Sequence, residues 1–347
     1  LAAASRSSPL HSSLAALGQR PVFRLPTLPG KPTFAHSIMK IYSHIDEFRA
    51  VKNAVVTTGT FDGVHIGHQQ IIRRLKETAV RIGGETVLLT FFPHPRMVLF
   101  PDRKQLLLNT QEEKARLLEK AGIDHLIVHP FTREFSMLSS KDFIEDILVR
   151  KLGTRMLVIG HDHHFGRNRE GSFDHLRQFG PVYGFDVEEI PAKEVENMNV
   201  SSTRIRNAIE AGDVSTARSF LGYNYLLEGT VVKGRQLGRT IGFPTANILV
   251  TDSNKMVPAD GVYAVKVERK GESLVGMLNI GMRPTVDGKF RTIEVNILDF
   301  EADLYGESLI LEFVKRIRDE KKFDGLEALK QQLANDRQAT RDVFSTK

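Results

Sequence analysis

The stretch AVVTTGTFDGVHIGHQQIIRRLKETAVRIGG (residues 54–84) passes from a β-branched run through a glycine-bracketed loop into an amphipathic segment. AVVTTG reads as a strand. In QQIIRRLKETAVRIGG, Ile71, Ile72, Leu75, Ala79 and Ile82 recur on one face at helical spacing. The strand ends near Thr58, Gly59 and Gly63 let the backbone turn tightly, and His68 stands where the helix opens. Free N–H groups and the positive helix end then face one point, which is an anion site. His65 and His68 add donors able to hold a phosphate whose charge grows during displacement at phosphorus. The competing reading is that one histidine caps a turn while the other packs.

Outward from this unit the alternation continues. TVLLTFF is a strand, QEEKARLLEKAG a helix ending at a glycine, HLIV a strand, SKDFIEDILVRKLG a helix capped by Ser140, and RMLVIG a further strand. Such spacing predicts an α/β domain with a parallel, doubly wound sheet, whose ligands sit beyond the carboxyl ends of the strands. From about Leu226 the pattern changes to LLEGTVVKG, GVYAVKVERKG, LVGMLNIG, TIEVNILDF and SLILEFVKRIR, separated by glycine turns. Period-two alternation in several of these predicts an antiparallel sheet or β-barrel, closed by the helical DGLEALKQQLANDRQATRDVF. The expected division is residues 39–221 and 222–347, with no internal repeat.

The length of 347 residues suits two domains, each with enough chain for a core. A composition of 41% hydrophobic and 26% charged residues is that of a soluble globular protein, and no apolar run reaches the roughly 18 to 20 residues of a membrane span. The chain has no cysteine, which removes disulfides, thiolate metal sites and cysteine nucleophiles and fits a reducing, cytoplasmic setting. The first 38 residues hold Arg6, Arg20, Arg24 and Lys31 without an acidic residue, so the net charge of +6 falls to +2 for the remainder. A nearly balanced body argues against nucleic-acid binding. The expected partners are small molecules, with no nucleic acid, no membrane and a weak homo-oligomer at most. The Ser-, Ala-, Leu- and Pro-rich residues 1–38 read as a transit peptide or as a cloning scar or upstream translation before Met39. They are expected to be disordered and are set aside from the fold.

Three further motifs follow the first loop in order: TFFPHP (residues 90–95), GHDHHFGRNREG (160–171) and SSTRIR (201–206). SSTRIRNAIEAGD is a helix start, with hydroxyls for the free N–H groups and Arg206 one turn in, able to meet phosphates held there. Standing alone it would be no more than a good N-cap. His161, His163 and His164 invite a zinc reading, yet their spacing in a glycine-bounded loop lacks the helical H-x-x-x-H geometry. In SMLSSK (residues 136–141) Ser140 reads more simply as a cap than as part of an aminoacyl-tRNA synthetase signature. Together the motifs place the segment in resemblance to the nucleotidyltransferase superfamily. They resemble most closely the adenylyltransferase module of the bacterial bifunctional riboflavin kinase/FAD synthetase family, over about residues 40–221. The resemblance implies that Gly59, Asp62, Ser202, Thr203 and Arg206 bind ATP and its phosphates, that His65 and His68 act in catalysis, and that Asp162 and Phe165 touch flavin or nucleotide. Family members often carry an aromatic residue where His163 stands.

GRQLGRTIGFPTANI (residues 234–248) is the second constellation. Gly238 and Gly242 allow close backbone approach, Arg239 offers a cation, and Pro244 stiffens the way into Thr245 and Asn247. A hydroxyl and an amide oxygen on one extended segment are hard ligands suited to Mg²⁺ carried with phosphates. A Gly-Pro loop with buried polar side chains would give the same short pattern. In TIEVNIL, Ile293, Val295 and Ile297 share one face and Glu294 and Asn296 the other, where an exposed glutamate is the ordinary expectation. With DGVYAV, NIGMRPTV and EVNILDF in order, the segment resembles riboflavin kinase over about residues 222–341. That resemblance makes Gly238 and Arg239 ATP-binding, Thr245 and Asn247 metal-holding, and Glu294 the base taking the proton of riboflavin's 5′-hydroxyl. The implied activity is phosphorylation of riboflavin to FMN and adenylylation of FMN to FAD, with ATP as co-substrate. Two alternatives are a chain in which only the kinase module works and a non-catalytic flavin-binding or RNA-binding regulator.

Overall fold

The computed structural model describes residues 38–161, 163–190, 200–234, 237–285 and 288–345. The expected disordered leader, apart from Ile38, and Asp162 lie outside them. A six-stranded, wholly parallel sheet is built from β1 (Lys40–Tyr42), β2 (Ala54–Thr58), β3 (Thr86–Phe92), β4 (His125–Pro130), β5 (Thr154–Gly160) and β6 (Asp186–Ile190) in the order β1-β4-β3-β2-β5-β6. All five residues of β2 are buried, as a central parallel strand covered on both faces requires. The order reverses at β2, so the crevice beyond its carboxyl end is the switch point at which such sheets bind ligands.

Helix α1 (Ile66–Ile82) covers one face with Ile72, Leu75 and Ala79 against Val55, Leu88 and Leu126, and ends at Gly83 in the left-handed region (φ 61°). Helix α2 (Gln111–Ala121) opens with a capping box between Thr110 and Glu113. The helical run from Ser140 to Lys151, however, is capped by Ser139 and not by the expected Ser140. Ser139 Oγ receives the Asp142 amide (3.1 Å) and donates to its carboxylate (2.7 Å), whereas the Ser140 amide donates to Glu170 Oε1 (2.8 Å). Helices α3 (Phe173–Tyr183), α4 (Ser202–Glu210) and α5 (Val214–Leu221) complete this part.

The second half is a closed antiparallel barrel of β7 (Tyr225–Val232), β8 (Ala246–Leu249), β9 (Gly261–Arg269), β10 (Glu272–Thr285), β11 (Gly288–Ile297) and β12 (Ser308–Arg318), ordered β10-β11-β8-β7-β12-β9, followed by α6 (Leu326–Ser345). Strand β8 is an addition to the five runs expected from periodicity. It occupies the ANIL segment after Pro244, which the sequence presents only as an extended piece bearing metal ligands. The barrel core of Leu227, Val265, Leu278, Val295 and Phe313 runs without a break into Ile205, Ile209, Val214, Ala217 and Leu221 from α4 and α5.

A buried histidine, His129, and a half-buried one, His94, give the fold a pH dependence. Burial pushes His129, at the end of β4, down to about 4, with neighbouring His44 acting in the same sense and Asp46 opposing. His94 is likewise pushed down to about 4, first by burial, with Asp62 opposing. Both rings stay neutral in the fold where the unfolded chain protonates them, near pH 6.5. The unfolded state therefore binds more protons across that interval, and stability falls as pH falls from about 6.5 to about 4. Melting temperatures taken on either side of the interval should be lower on the acid side; an unchanged value would mean that neither ring is buried as described.

Candidate functional site

The loop between β2 and α1 holds its shape through three left-handed residues, Phe61 (φ 47°), Gly63 (φ 87°) and Val64 (φ 36°). For a β-branched residue this conformation costs on the order of 1–3 kcal/mol. The surroundings impose it: Val64 is buried, and a Cβ at Gly63 would stand 2.7 Å from Leu108 Cδ1. The turn delivers His65 to the N-cap of α1, where its Nδ1 accepts the His68 amide (3.4 Å). As an acceptor, that nitrogen leaves the ring's N–H at Nε2. The two imidazoles stack at 3.7 Å and 14°, and the Phe61 ring lies 4.8 Å from His68. Burial holds His68 well below the ordinary histidine range, with His65 and Lys114 acting in the same sense. His68 is therefore a neutral donor at physiological pH. Its Nδ1 is buried without a hydrogen-bond partner among the described residues. The sequence-level alternative of one capping and one packing histidine describes part of what is seen, yet both rings meet at one helix N-terminus.

Asp62, Ser202 and Arg206 come together beside this loop. Asp62 is 2% exposed; its carboxylate accepts the Leu108 amide (2.9 Å) through Oδ1 and the Arg206 guanidinium through Oδ2. Arg206 Nε donates to the Leu106 carbonyl (2.7 Å), and Ser202 Oγ donates to the Asp62 carbonyl (3.0 Å). The cap of α4 is Ser201, which accepts the Arg204 amide, while Thr203 is exposed in the first turn. Asp62 and Arg206 thus hold each other, and with them the phosphate loop. Arg206→Met removes the cation from a buried carboxylate and should cost about 3 kcal/mol or more of unfolding free energy. Denaturant titration measures this; a loss within error of zero would show that solvent satisfies Asp62.

Beyond β5, His163 Nε2 lies 3.2 Å from Thr58 Oγ1, tying the ends of β5 and β2, while His161 Nδ1 faces Glu189 (3.2 Å). The two rings serve different partners. Phe165 is 7% exposed, bridged through its backbone to Gly171 and packed on Phe143 at 5.3 Å. It is a core side chain with little surface left for the flavin or nucleotide expected of it.

Two residues of this site escape sequence reading. Lys114, on α2, is 4% exposed and donates to the Thr60 carbonyl (2.9 Å); burial lowers its pKa against the opposing pull of Asp62. His94 accepts the Arg96 amide through Nδ1 (3.1 Å), within the fields of Asp62, Arg206 and Lys114. TFFPHP signals His94 faintly, whereas Lys114 sits in what reads as an ordinary polar helix.

In the barrel, Glu294 on β11 stands opposite Asn247 on β8, and Thr245 Oγ1 donates to Glu294 Oε2 (3.2 Å). Glu294 is 8% exposed, which rules out the surface glutamate that alternation alone suggests. Asn296 Nδ2 donates to the Pro244 carbonyl (2.6 Å) and fixes the approach to Thr245. A Cβ at Gly234 would lie 2.2 Å from Asn247 Nδ2, and one at Gly238 would lie 2.2 Å from the Phe243 carbonyl oxygen. Gly238 is thus required by close backbone approach, and a side chain at Gly234 would displace the Asn247 amide. Arg239 is exposed on the short turn Leu237–Thr240.

A stacked histidine pair at a switch-point helix end, with a barrel carrying a buried carboxylate beside hydroxyl and amide oxygens, defines a two-site phosphotransfer protein. The family models for FAD synthetase and riboflavin kinase match residues 48–204 and 221–344. The bifunctional riboflavin kinase/FMN adenylyltransferase of Listeria monocytogenes is 41% identical over 311 residues, covering 88% of this chain and 98% of that relative. The protein of the same name from Escherichia coli K12 is 38% identical, covering 84% and 93%. The crystal structure of a macrolide-efflux protein from Streptococcus pneumoniae superposes with a TM-score of 0.80 at 34% identity, covering 88% and 99%. The chain belongs to the bifunctional riboflavin kinase/FMN adenylyltransferase family. Among the described residues no helix is long and apolar enough to cross a membrane.

Proposed function

We propose that the chain phosphorylates riboflavin to FMN in the barrel and adenylylates FMN to FAD, with release of pyrophosphate, at the switch point of the sheet. The observation that carries the reading is the buried Glu294, bonded by Thr245 and paired across the ladder with Asn247. A carboxylate so oriented takes the proton of riboflavin's 5′-hydroxyl as that oxygen attacks the γ-phosphorus of ATP, whose bond to the β,γ-bridging oxygen breaks to release ADP. Thr245 and Asn247, two apart on one extended segment beside Glu294, supply hard oxygens that suit Mg²⁺. The ion, when bound, would neutralise phosphate charge. Gly238 and Arg239 border the same turn and serve ATP.

In the other site the attacking FMN phosphate is already an anion, so the chemistry needs alignment and charge stabilisation rather than a base. His65 and His68 donate neutral N–H groups to the α-phosphate, backed by the positive end of α1 and by the Lys114 ammonium. Gly59, Ser202 and Thr203 border the phosphates; Asp62 and Arg206 act on them by holding the loop. The division of labour follows the change of architecture, residues 39–221 against 222–347.

Chromatography of flavins during incubation of the full chain with riboflavin, ATP and Mg²⁺ tests the reading. FMN should rise first and FAD follow. FMN without FAD would leave only the kinase, and no product at all would refute both activities.

A further inference from the structure

A lysine ammonium with no solvent exposure lies between the two halves. Lys255, in the loop before β9, sends its three donors to Glu113 Oε2, to the Leu108 carbonyl (2.7 Å) and to the Leu226 carbonyl (2.6 Å), with the Tyr225 ring 4.4 Å away. An ammonium has three N–H groups, and all three are used. Glu113 is equally committed: besides Lys255 it accepts the Thr110 amide (3.1 Å) at the start of α2 and the Glu228 amide (3.0 Å) of β7.

What this pair grips is a strap, residues 106–108, whose backbone groups alternate between the two halves. The Leu106 carbonyl accepts Arg206, and the Leu108 amide donates to Asp62, both beside the phosphate loop. The Leu107 amide donates to the Asn254 carbonyl (2.8 Å), its carbonyl accepts the Met256 amide (2.9 Å), and the Leu108 carbonyl accepts Lys255, all on the barrel side. The Leu108 side chain packs under Gly63 at the turn of that loop. Displacing the strap therefore moves Asp62 and, with it, the left-handed turn that aims His65 and His68.

We propose that Lys255, though it lies in the riboflavin kinase half, is a positioning residue for adenylyl transfer, acting with Glu113 through the strap 106–108 on Asp62 and the histidine-bearing loop. The inference rests on adenylyl transfer taking place at residues 59–68. A misplacement of catalytic groups by about 1 Å is enough to cost on the order of 10²-fold in rate.

Removing Lys255 alone strands a buried carboxylate and risks unfolding, so the decisive variant is Lys255→Met with Glu113→Gln, which removes both charges, keeps an amide oxygen for the Glu228 amide and gives up the acceptor of the Thr110 amide. In the full-length double variant, the kcat for FMN to FAD should fall about tenfold or more while KM for FMN holds. The kcat/KM for riboflavin to FMN should stay at the parent value. An equal fall in both reactions would reduce the pair to a folding element and overturn the inference, as would an unchanged adenylylation kcat. His68→Ala measured alongside separates the two failures. If His68→Ala stops FAD formation but the double variant does not slow it, the strap reading alone is wrong. If His68→Ala leaves FAD formation intact, the location of the reaction is wrong and the inference falls with it.

Discussion

His68→Ala is expected to reduce conversion of FMN to FAD by about 10²- to 10³-fold while riboflavin phosphorylation proceeds at the parent rate. The magnitude is that of losing one preorganised donor to a charge that develops in the transition state. His68 meets the requirement because it is neutral, half-buried, stacked 3.7 Å from His65 and aimed from the first turn of α1. A neutral N–H carries no strongly held hydration shell to strip away when the phosphate arrives, so its preorganisation survives in the resting protein. Single-turnover measurement of FAD from FMN and ATP, beside a riboflavin-to-FMN assay on the same preparation, checks this. Equal loss of both reactions would mean that the two chemistries share a site. The helix itself should survive, because the N-cap acceptor belongs to His65 and the His68 amide remains.

The converse loss belongs to Glu294→Gln, which should lower riboflavin phosphorylation by about 10² to 10⁴ and leave adenylylation of supplied FMN untouched. Glutamine keeps the shape and can still accept from Thr245 Oγ1, but an amide cannot take a proton. The ladder pairing of Glu294 with Asn247 and with Asn279 is backbone-based and persists, so the fold is not at risk. Unchanged kinase turnover would show that the hydroxyl proton leaves by another route and that Glu294 serves only to orient Thr245.

The sequence was most legible where one physical rule governed a whole segment. Continuous apolar runs gave β2 to β5 but neither the short β1 nor the acidic β6, helical spacing gave α1 and α2, and alternation gave five of the barrel strands. Strand β8 was hidden because four residues after a proline carry too little pattern; its hydrogen bonds come from β7 and β11, at distant places in the chain. His65, His68, Thr245, Asn247 and Glu294 stood out through local motifs, and the structure brings each set together. Lys114, Glu113 and Lys255 did not stand out, because a charged residue in a polar stretch is ordinarily solvated. Only tertiary structure places Lys255 against a carboxylate 142 positions away. Phe165 is the opposite case: the resemblance assigns it to flavin or nucleotide, while its 7% exposure and its bridge to Gly171 are set by tertiary structure.

The continuity of the barrel core with α4 and α5 bears on how such a chain can be taken apart. The change of periodicity near residue 222 looks like a seam, but Ile205, Ile209, Val214, Ala217 and Leu221 on its near side plug the apolar interior formed on its far side. A cut there would bare both surfaces at once, leaving two sticky fragments rather than two enzymes. Chimeras between relatives should exchange the helices together with the barrel they close.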